Sequence, residues 1–300
     1  MANARGKTVD KTYLSVDSAE DRGFIHRDYI AHCLRWTHVC KYLYGQNRYK
    51  SAQILDVGCG RELPLAKLLY SSRLIPVSYT GVDVGPINDD DFAKIKGEME
   101  QVTTIHENTN FLDLVHTDVE TTENVAGNIE RSLPNIVTCF EVLEHVEPKM
   151  MIDMLEHMKR LTSNNATFFI STPCWNRTDC AANHVNEMLY ESLGACFERH
   201  GFIVEDVYGT FASIRDYEHL LKHPIYGDMS LAFQALREYY DTNFLSCVFA
   251  PLFPAQSRNC LWVLKKRPNN VPTRYDAKFP AIEVIPTPWS SSTKWEDMKL

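Results

Sequence analysis

Acidic residues lie at the ends of several short apolar segments of this 300-residue sequence. Asp56 lies near the end of the first segment, Asp83 follows the second and Glu141 follows the fourth. Asp118 follows the segment over 112–116 that we predict as a third strand, and Asp113 takes its place if the register of that strand differs. Carboxylates accept hydrogen bonds from hydroxyl and amino groups and attract cations. The set therefore favours a ligand that carries a cationic group, hydroxyls and an amino group.

The first apolar segment runs into a glycine-rich loop, Gly58-Cys59-Gly60, which precedes a predicted helix over 63–69. Such a strand–loop–helix order is typical of nucleotide sites, and the glycines let a ligand approach the backbone closely. A dinucleotide fingerprint has a further glycine in the stretch where this chain has Arg61-Glu62-Leu63, and the charges of Asp56 and Glu62 would repel a pyrophosphate. The loop therefore favours a nucleoside ligand without phosphate.

S-adenosylmethionine meets this description. We expect Asp56 to lie near its ammonium group, Asp83 to accept hydrogen bonds from the ribose hydroxyls, and Asp118 to accept one from the adenine amino group. The complete predicted cofactor site is Asp56, Gly58, Cys59, Gly60, Asp83, Val84, Asp118, Val119 and Glu141.

Strand and helix patterns alternate along the chain. We predict strands over 54–57, 78–82, 112–116, 136–140, 167–171, 202–207 and 260–264, and helices over 28–43, 63–69, 149–161 and 185–200. Alternation of this kind predicts an α/β fold with a parallel sheet and helices on both faces. Ligands of such sheets bind at the carboxyl ends of the strands, which is where the acidic residues lie.

The predicted domain organisation has three parts. An N-terminal segment with one helix covers 1–50, the cofactor-binding domain covers 51–267, and an extended tail covers 268–300. Inside the domain, a helical insert over 213–258 precedes the last strand. It is rich in aromatic residues that either pack the insert onto the sheet or form a lid over the substrate: Tyr217, Tyr226, Phe233, Tyr239, Tyr240, Phe244, Phe249 and Phe253.

Composition argues against several classes of protein but leaves room for a local basic groove. The net charge of −8 argues against avid nucleic-acid binding, and no apolar run is long enough to span a membrane. The N-terminus lacks the apolar region of a signal peptide. The nine cysteines are scattered without a CxxC pair, which predicts reduced thiols, no zinc site and a cytoplasmic protein.

Several motifs together resemble the class I S-adenosylmethionine-dependent methyltransferases. They are LDVGCG (55–60), YTGVDV (79–84), TDVE (117–120), NIVTCFEVLEHV (135–146), FFISTP (168–173) and CFERHGFIVED (196–206). The resemblance implies a Rossmann-like parallel sheet whose last strand is antiparallel, and S-adenosyl-L-methionine as the cofactor.

The methyl acceptor is predicted to be a small molecule with an oxygen or nitrogen nucleophile. Methyl transfer from a sulfonium is an in-line displacement, and a general base is needed only for a hydroxyl or a protonated amine. We expect His145, His184 and Glu144 to carry that role, because they lie in or after the segments that end at the cofactor edge. The alternatives are that His145 holds its loop through a structural hydrogen bond and that His184 is a surface histidine.

Two other functions stay open. Glu141, Glu144, His145 and His184 resemble the ExxEH…H metal site of 2′-O-methyltransferases that act on the 3′ ends of small RNAs, where the ion is magnesium or manganese. Since the chain is acidic, we expect no metal and no effect of a chelator. The non-enzymatic alternative is an inactive cofactor-binding partner protein.

Overall fold

The computed structural model describes residues 27–114, 133–175 and 180–268. Asp118, Val119 and the predicted C-terminal tail beyond Pro268 lie outside the described residues. Over the described part the helices are α1 (Arg27–Tyr44), α2 (Pro64–Ser71), α3 (Asp89–Ala93), α4 (Pro148–Arg160), α5 (Tyr190–Arg199), α6 (Ile214–Leu221), α7 (Gly227–Leu236) and α8 (Thr242–Phe249). The strands are β1 (Gln53–Val57), β2 (Ser78–Val82), β3 (Thr103–His106), β4 (Ile136–Phe140), β5 (Thr167–Pro173), β6 (Phe202–Phe211) and β7 (Asn259–Lys266).

The strands form one sheet in the order β3-β2-β1-β4-β5-β7-β6. Strands β1 to β5 pair in parallel, and β7 pairs antiparallel with both β5 and β6. The order reverses beside β1, so the ends of β1 and β4 form the crevice in which such sheets bind ligands. The predicted fold, a Rossmann-like α/β sheet with an antiparallel last strand, is confirmed.

Two hydrophobic cores cover the two faces of the sheet. Successive residues of a strand point to opposite faces, so Ile54 packs with α1 and α2, whereas Leu55 packs with α4 and α5. The strands are therefore largely apolar, as expected for a sheet buried on both sides, although β1 and β4 carry the buried polar residues Asp56 and Thr138. Trp262 of β7 is fully buried in the second of these cores.

The predicted third strand was wrong. The structure places β3 at Thr103–His106, where β-branched residues favour an extended backbone, and puts a 3-10 turn at Phe111–Asp113. Asn110 caps this turn, since its side chain accepts a hydrogen bond from the Leu112 N–H at 3.0 Å. Phe111 and Leu114 are buried, but they pack as part of a turn beneath α4.

The helix predicted over 185–200 begins later, at Tyr190. The preceding residues form a loop, because the N–H groups of Val185 and Asn186 donate to the Glu144 carbonyl at 2.8 and 3.1 Å. These two bonds hold the loop against the end of β4, which brings His184 to the edge where the cofactor is expected.

The insert over 213–258 has a hydrophobic core of its own. Tyr217 and Phe253 stack inside it, with ring centroids 4.6 Å apart. Because β6 runs in the same direction as β5, the insert leaves the sheet at the carboxyl edge of the parallel strands. Helix α8 contacts both α1 and β6.

All nine cysteines are free thiols, and five of them are buried. Within the described ranges, no helix is both long and apolar enough to cross a membrane.

Candidate active site

The glycine loop after β1 has a backbone that only glycine adopts without strain. Gly58 and Gly60 have φ values of 69° and 74°. A Cβ atom on Gly58 would lie 2.3 Å from Cγ2 of Val142, so a side chain has no room there. The N–H groups of Gly58 and Cys59 donate to the Val82 carbonyl at 2.8 and 3.2 Å, which ties the loop to β2.

Asp83 directly follows β2, as predicted, and its carboxylate organises two loops. One oxygen accepts a hydrogen bond from the Gly60 N–H at 2.9 Å, and the other accepts one from the Gly85 N–H at 2.8 Å. A carboxylate has about four acceptor positions. Two therefore stay available for hydroxyl donors. Val84, the next residue, is exposed.

Asp56 is buried inside β1 and its carboxylate bonds within the protein. It accepts hydrogen bonds from the Tyr79 hydroxyl at 2.5 Å and from the Thr138 hydroxyl at 2.7 Å. Burial raises the pKa of Asp56 to about 6, against the opposing effect of these two hydrogen bonds. The position expected beside an ammonium group is thus one where the carboxylate also joins β1 to its two neighbouring strands.

The residues just past the third strand are Glu107, Asn108 and Thr109, which the sequence prediction missed. Glu107 accepts a hydrogen bond from the Ile87 N–H at 2.9 Å. The Thr109 N–H donates to the Asp83 carbonyl at 2.9 Å, so this loop borders the Asp83 loop. The run of β-branched residues before His106 was the available signal.

Glu141 follows β4 with a φ of 57°, and a network of polar side chains surrounds it. Arg35 of α1 is buried and forms an ion pair with Glu141 at 2.6 Å. Asn259 of β7 donates to the same carboxylate at 2.8 Å, and the Ser171 hydroxyl donates at 2.9 Å. Neither Arg35 nor Asn259 was predicted, because only the fold brings α1 and β7 to the end of β4.

The three predicted catalytic residues lie together. Ligand atoms of Glu144, His145 and His184 all lie within 4.8 Å of one another, and the two imidazole centroids are 4.9 Å apart. Glu144 is buried and accepts a hydrogen bond from the Thr172 hydroxyl at 3.1 Å. Burial and the neighbouring Glu141 charge raise the pKa of Glu144 well above its usual range. Glu141 itself is held in the Arg35 network.

Hydrogen bonds set the orientation of both imidazoles. Nδ1 of His145 donates to the Asn183 carbonyl at 3.0 Å, and Nδ1 of His184 donates to the Glu187 carboxylate at 2.5 Å. In the neutral rings, Nε2 of each histidine is then left as an acceptor. Nε2 of His184 is buried and has no hydrogen-bond partner among the described residues. The arrangement can accept a proton or hold a cation.

A family model described as a methyltransferase domain matches residues 29–223 of the chain. This match covers β1 to β6 and every described residue of the predicted site. No curated protein matches the sequence.

Solved structures of methyltransferases superpose on the chain. The 1,6-didemethyltoxoflavin-N1-methyltransferase of Burkholderia thailandensis has a TM-score of 0.50 at 12% identity, over 89% of this chain and 91% of that chain. A methyltransferase from Archaeoglobus fulgidus has a TM-score of 0.45 at 17% identity, over 85% and 100% of the two chains. The magnesium protoporphyrin IX methyltransferase of Synechocystis has a TM-score of 0.41 at 13% identity, over 59% and 76%.

At these identities the likeness is one of fold. The family match reaches further, because it includes the glycine loop, Asp83 and the segment from Glu141 to His145. The chain therefore belongs to the methyltransferase-domain family, and it is an S-adenosylmethionine-dependent methyltransferase.

Proposed function

We propose that this enzyme transfers the methyl group of S-adenosylmethionine to an oxygen or nitrogen atom of a small-molecule acceptor. The proposed cofactor residues are the glycine loop (Gly58, Cys59 and Gly60), Asp83 with Val84, and Glu141. Asp56 precedes the loop and joins β1 to its neighbouring strands. Asp118 and Val119, which lie outside the described residues, remain proposed contacts of the adenine.

The observation that carries the cofactor site is the geometry of Asp83 and Gly58. The backbone of Gly58 adopts a left-handed conformation against Val142, and the Asp83 carboxylate fixes Gly60 at the same edge. The remaining acceptor positions of Asp83 suit the two ribose hydroxyls. Hydrogen bonds to a charged group contribute about 1.5–3 kcal/mol each.

A small-molecule acceptor is supported by the insert and by one neighbour. The insert leaves the sheet at the cofactor edge, and its helix α8 contacts α1, so both elements can enclose an acceptor beside the sulfonium. The superposed toxoflavin enzyme was crystallised with a small-molecule acceptor and S-adenosylhomocysteine. His145 and His184 supply the base when the nucleophile carries a proton. Asn183 and Glu187 orient the two imidazoles, and the buried Glu144 lies beside both.

Methyl-labelled S-adenosylmethionine tests this proposal. The full chain is incubated with the dialysable, RNA and protein fractions of a cell extract in separate reactions. We expect enzyme-dependent label in the dialysable fraction, and a loss of labelling with His145→Ala together with unchanged cofactor binding. Label confined to the RNA or protein fraction would overturn the small-molecule acceptor, and no labelled product in any fraction would favour an inactive binding protein.

A second candidate is a metal-dependent methyltransferase that acts on a ribose 2′-hydroxyl. The observation that favours it is the histidine pair: each Nδ1 donates to an acceptor of the protein, which is the arrangement of imidazoles that ligate a metal. The unpaired Nε2 of His184, Nε2 of His145 and the Glu144 carboxylate suit a divalent transition ion such as manganese.

Manganese titration decides between the two candidates. Under the metal-free proposal, electron paramagnetic resonance detects no saturable manganese binding, and a chelator leaves labelling of the dialysable fraction unchanged. Saturable binding that His184→Ala abolishes, with labelling of RNA that needs the ion, would establish the second candidate instead. Asp153→Asn is the control here, because Asp153 is an exposed carboxylate of α4 that pairs with Lys149 away from the site.

A further inference from the structure

A cavity of about 570 Å³ lies between the end of α4, the start of β6 and the end of β7. Because β6 begins here and ends at the cofactor edge, the cavity is at the opposite edge of the sheet. Its volume falls within the range of about 300–1,000 Å³ that is typical of small-molecule sites. The proposed methyl transfer makes no use of it.

The lining of this cavity is strongly basic although the chain as a whole is acidic. Four cationic side chains, Lys159, Arg160, Lys266 and Arg267, line it together with a single carboxylate, that of Glu156. The chain carries a net charge of −8. A concave site lined by one sign of charge concentrates ligands of the opposite sign.

The positive charges of the cavity are only partly balanced by the protein. Glu156 accepts a hydrogen bond from Lys159 at 2.8 Å, and the buried Glu198 pairs with Arg267. Lys266 donates to the Thr162 carbonyl and Arg160 to Nδ1 of His157, and neither has a carboxylate partner within the described residues.

The electrostatics around Lys266 also favour an anion. Burial and the neighbouring Lys159 charge lower the pKa of Lys266 to about 8. The Arg267 guanidinium is held by Glu198 and the Phe202 carbonyl, so Arg267 adds positive charge to the lining. An anion in the cavity would relieve the repulsion between the two lysines.

We propose that this cavity binds a small ligand that carries a phosphate group. Phosphate combines multiple negative charge with several acceptor oxygens, so it can pair with lysine ammonium groups and with the planar guanidinium of an arginine at once. The cavity has room for a phosphate and an attached sugar-sized group. The site is separate from the methyl-transfer site, and its occupancy does not depend on the identity of the acceptor.

Calorimetric titration of pyrophosphate into the full chain tests the proposal. The ionic strength is held constant with chloride, and saturating S-adenosylhomocysteine keeps pyrophosphate away from the glycine loop. We expect saturable binding at one site, and at least about tenfold weaker binding for Lys266→Gln and for Arg160→Gln, since each removes a charge-assisted hydrogen bond. Lys149→Gln is the matched control, because Lys149 is exposed at the other end of the same helix.

Separate titrations of ribose 5-phosphate and of ribose then identify the group that is recognised. Binding of ribose 5-phosphate and no binding of ribose supports the proposal. No saturable binding of pyrophosphate, or equal affinity in the wild type and both cavity variants, would overturn it. Binding of a short single-stranded oligonucleotide in the absence of pyrophosphate binding would overturn it in favour of a nucleic-acid surface. Thermal unfolding of each variant checks that the comparison is made between folded proteins.

Discussion

At the scale of single residues, the candidate site combines groups proposed to bind the cofactor with groups that hold the strands together. Asp83 and the two glycines were predicted from the sequence, because a carboxylate after one strand and a glycine loop after its neighbour are local signals. Arg35 and Asn259 were missed, since their positions depend on which elements the fold brings together. Glu107 was missed because the third strand was predicted over 112–116. Sequence spacing carries no information of that kind.

Asp56 gives a prediction about pH and stability. Its pKa is raised from 3.8 to about 6 in the folded protein, so folding disfavours the ionised form. The resulting loss of unfolding free energy is absent below the pKa of Asp56 in the unfolded chain. It is complete above the pKa of Asp56 in the folded protein, where it is on the order of 3 kcal/mol. Asp56→Asn, which keeps an acceptor oxygen, is therefore expected to gain unfolding free energy relative to the wild type as the pH rises from 4 to 7 (about the span of the two pKa values).

Urea denaturation of the two proteins across this range is the measurement. A difference in unfolding free energy between them that does not change with pH would contradict the assignment of a raised pKa. Asp153→Asn serves as the control, because Asp153 is exposed and its ion-pair partner in the described part of the chain is Lys149, on the surface of α4.

Gly58 gives a prediction about shape. Gly58→Ala is expected to lower the unfolding free energy by more than about 1–3 kcal/mol, the usual cost of a strained backbone, because the new Cβ would also meet Val142. Gly97 also has a positive φ, of 95°, but a Cβ added there would meet no atom within 4 Å. Gly97→Ala therefore measures the cost of the backbone conformation alone.

The double variant Gly58→Ala/Val142→Ala removes the atom with which the Cβ collides. It is expected to be more stable than the sum of the two single effects predicts, as measured by chemical denaturation. If the two substitutions are additive, the close approach of Val142 does not explain the glycine.

At the scale of elements, helix α1 is fixed to the end of β4 by an ion pair between the buried Arg35 and the partly buried Glu141. Removal of one partner of a fully buried pair typically costs about 3–5 kcal/mol, which sets the upper limit of the loss expected for Arg35→Met. Arg35→Met/Glu141→Gln is expected to recover part of that loss in denaturation experiments. Lys222→Met, which breaks the exposed pair with Glu218, is expected to change stability by less than about 1 kcal/mol.

A loss of only a few tenths of a kcal/mol in Arg35→Met would show that α1 is held by its apolar face alone.

The sequence predicted this helix from the periodicity of its apolar residues but gave no indication of its charged contact. The third strand was predicted at the wrong position for a related reason. The apolar residues around Phe111 are buried in a turn, and a short apolar run without regular spacing does not distinguish a turn from a strand.

The insert is the element proposed to choose the acceptor. Four of its aromatic residues are buried in its own core, whereas Tyr239 is 79% exposed and Tyr240 53% exposed. We expect hydrogen exchange in 213–258 to slow more with S-adenosylhomocysteine plus acceptor than with S-adenosylhomocysteine alone. Protection confined to the strand ends, with the insert unchanged, would show that the insert only packs against the sheet.

At the scale of the whole molecule, the two ends of the parallel strands carry different charges. Carboxylates gather at the carboxyl edge of the parallel strands, and the basic cavity lies at the other edge. The net charge alone predicted neither feature, since a sum over the chain hides where the charges lie. The fold class, by contrast, followed from the alternation of strands and helices, because that alternation allows few arrangements.

The central claim is that Asp83 and the glycine loop hold the cofactor, and calorimetric titration of S-adenosylhomocysteine tests it most directly. Asp83→Ala is expected to weaken binding at least about tenfold, because it removes the acceptor of two ribose hydroxyls. Asp153→Asn is expected to bind like the wild type, which would exclude a general effect of lost charge. Wild-type affinity in a folded Asp83→Ala protein, or binding of NADH with no binding of S-adenosylhomocysteine, would contradict the account.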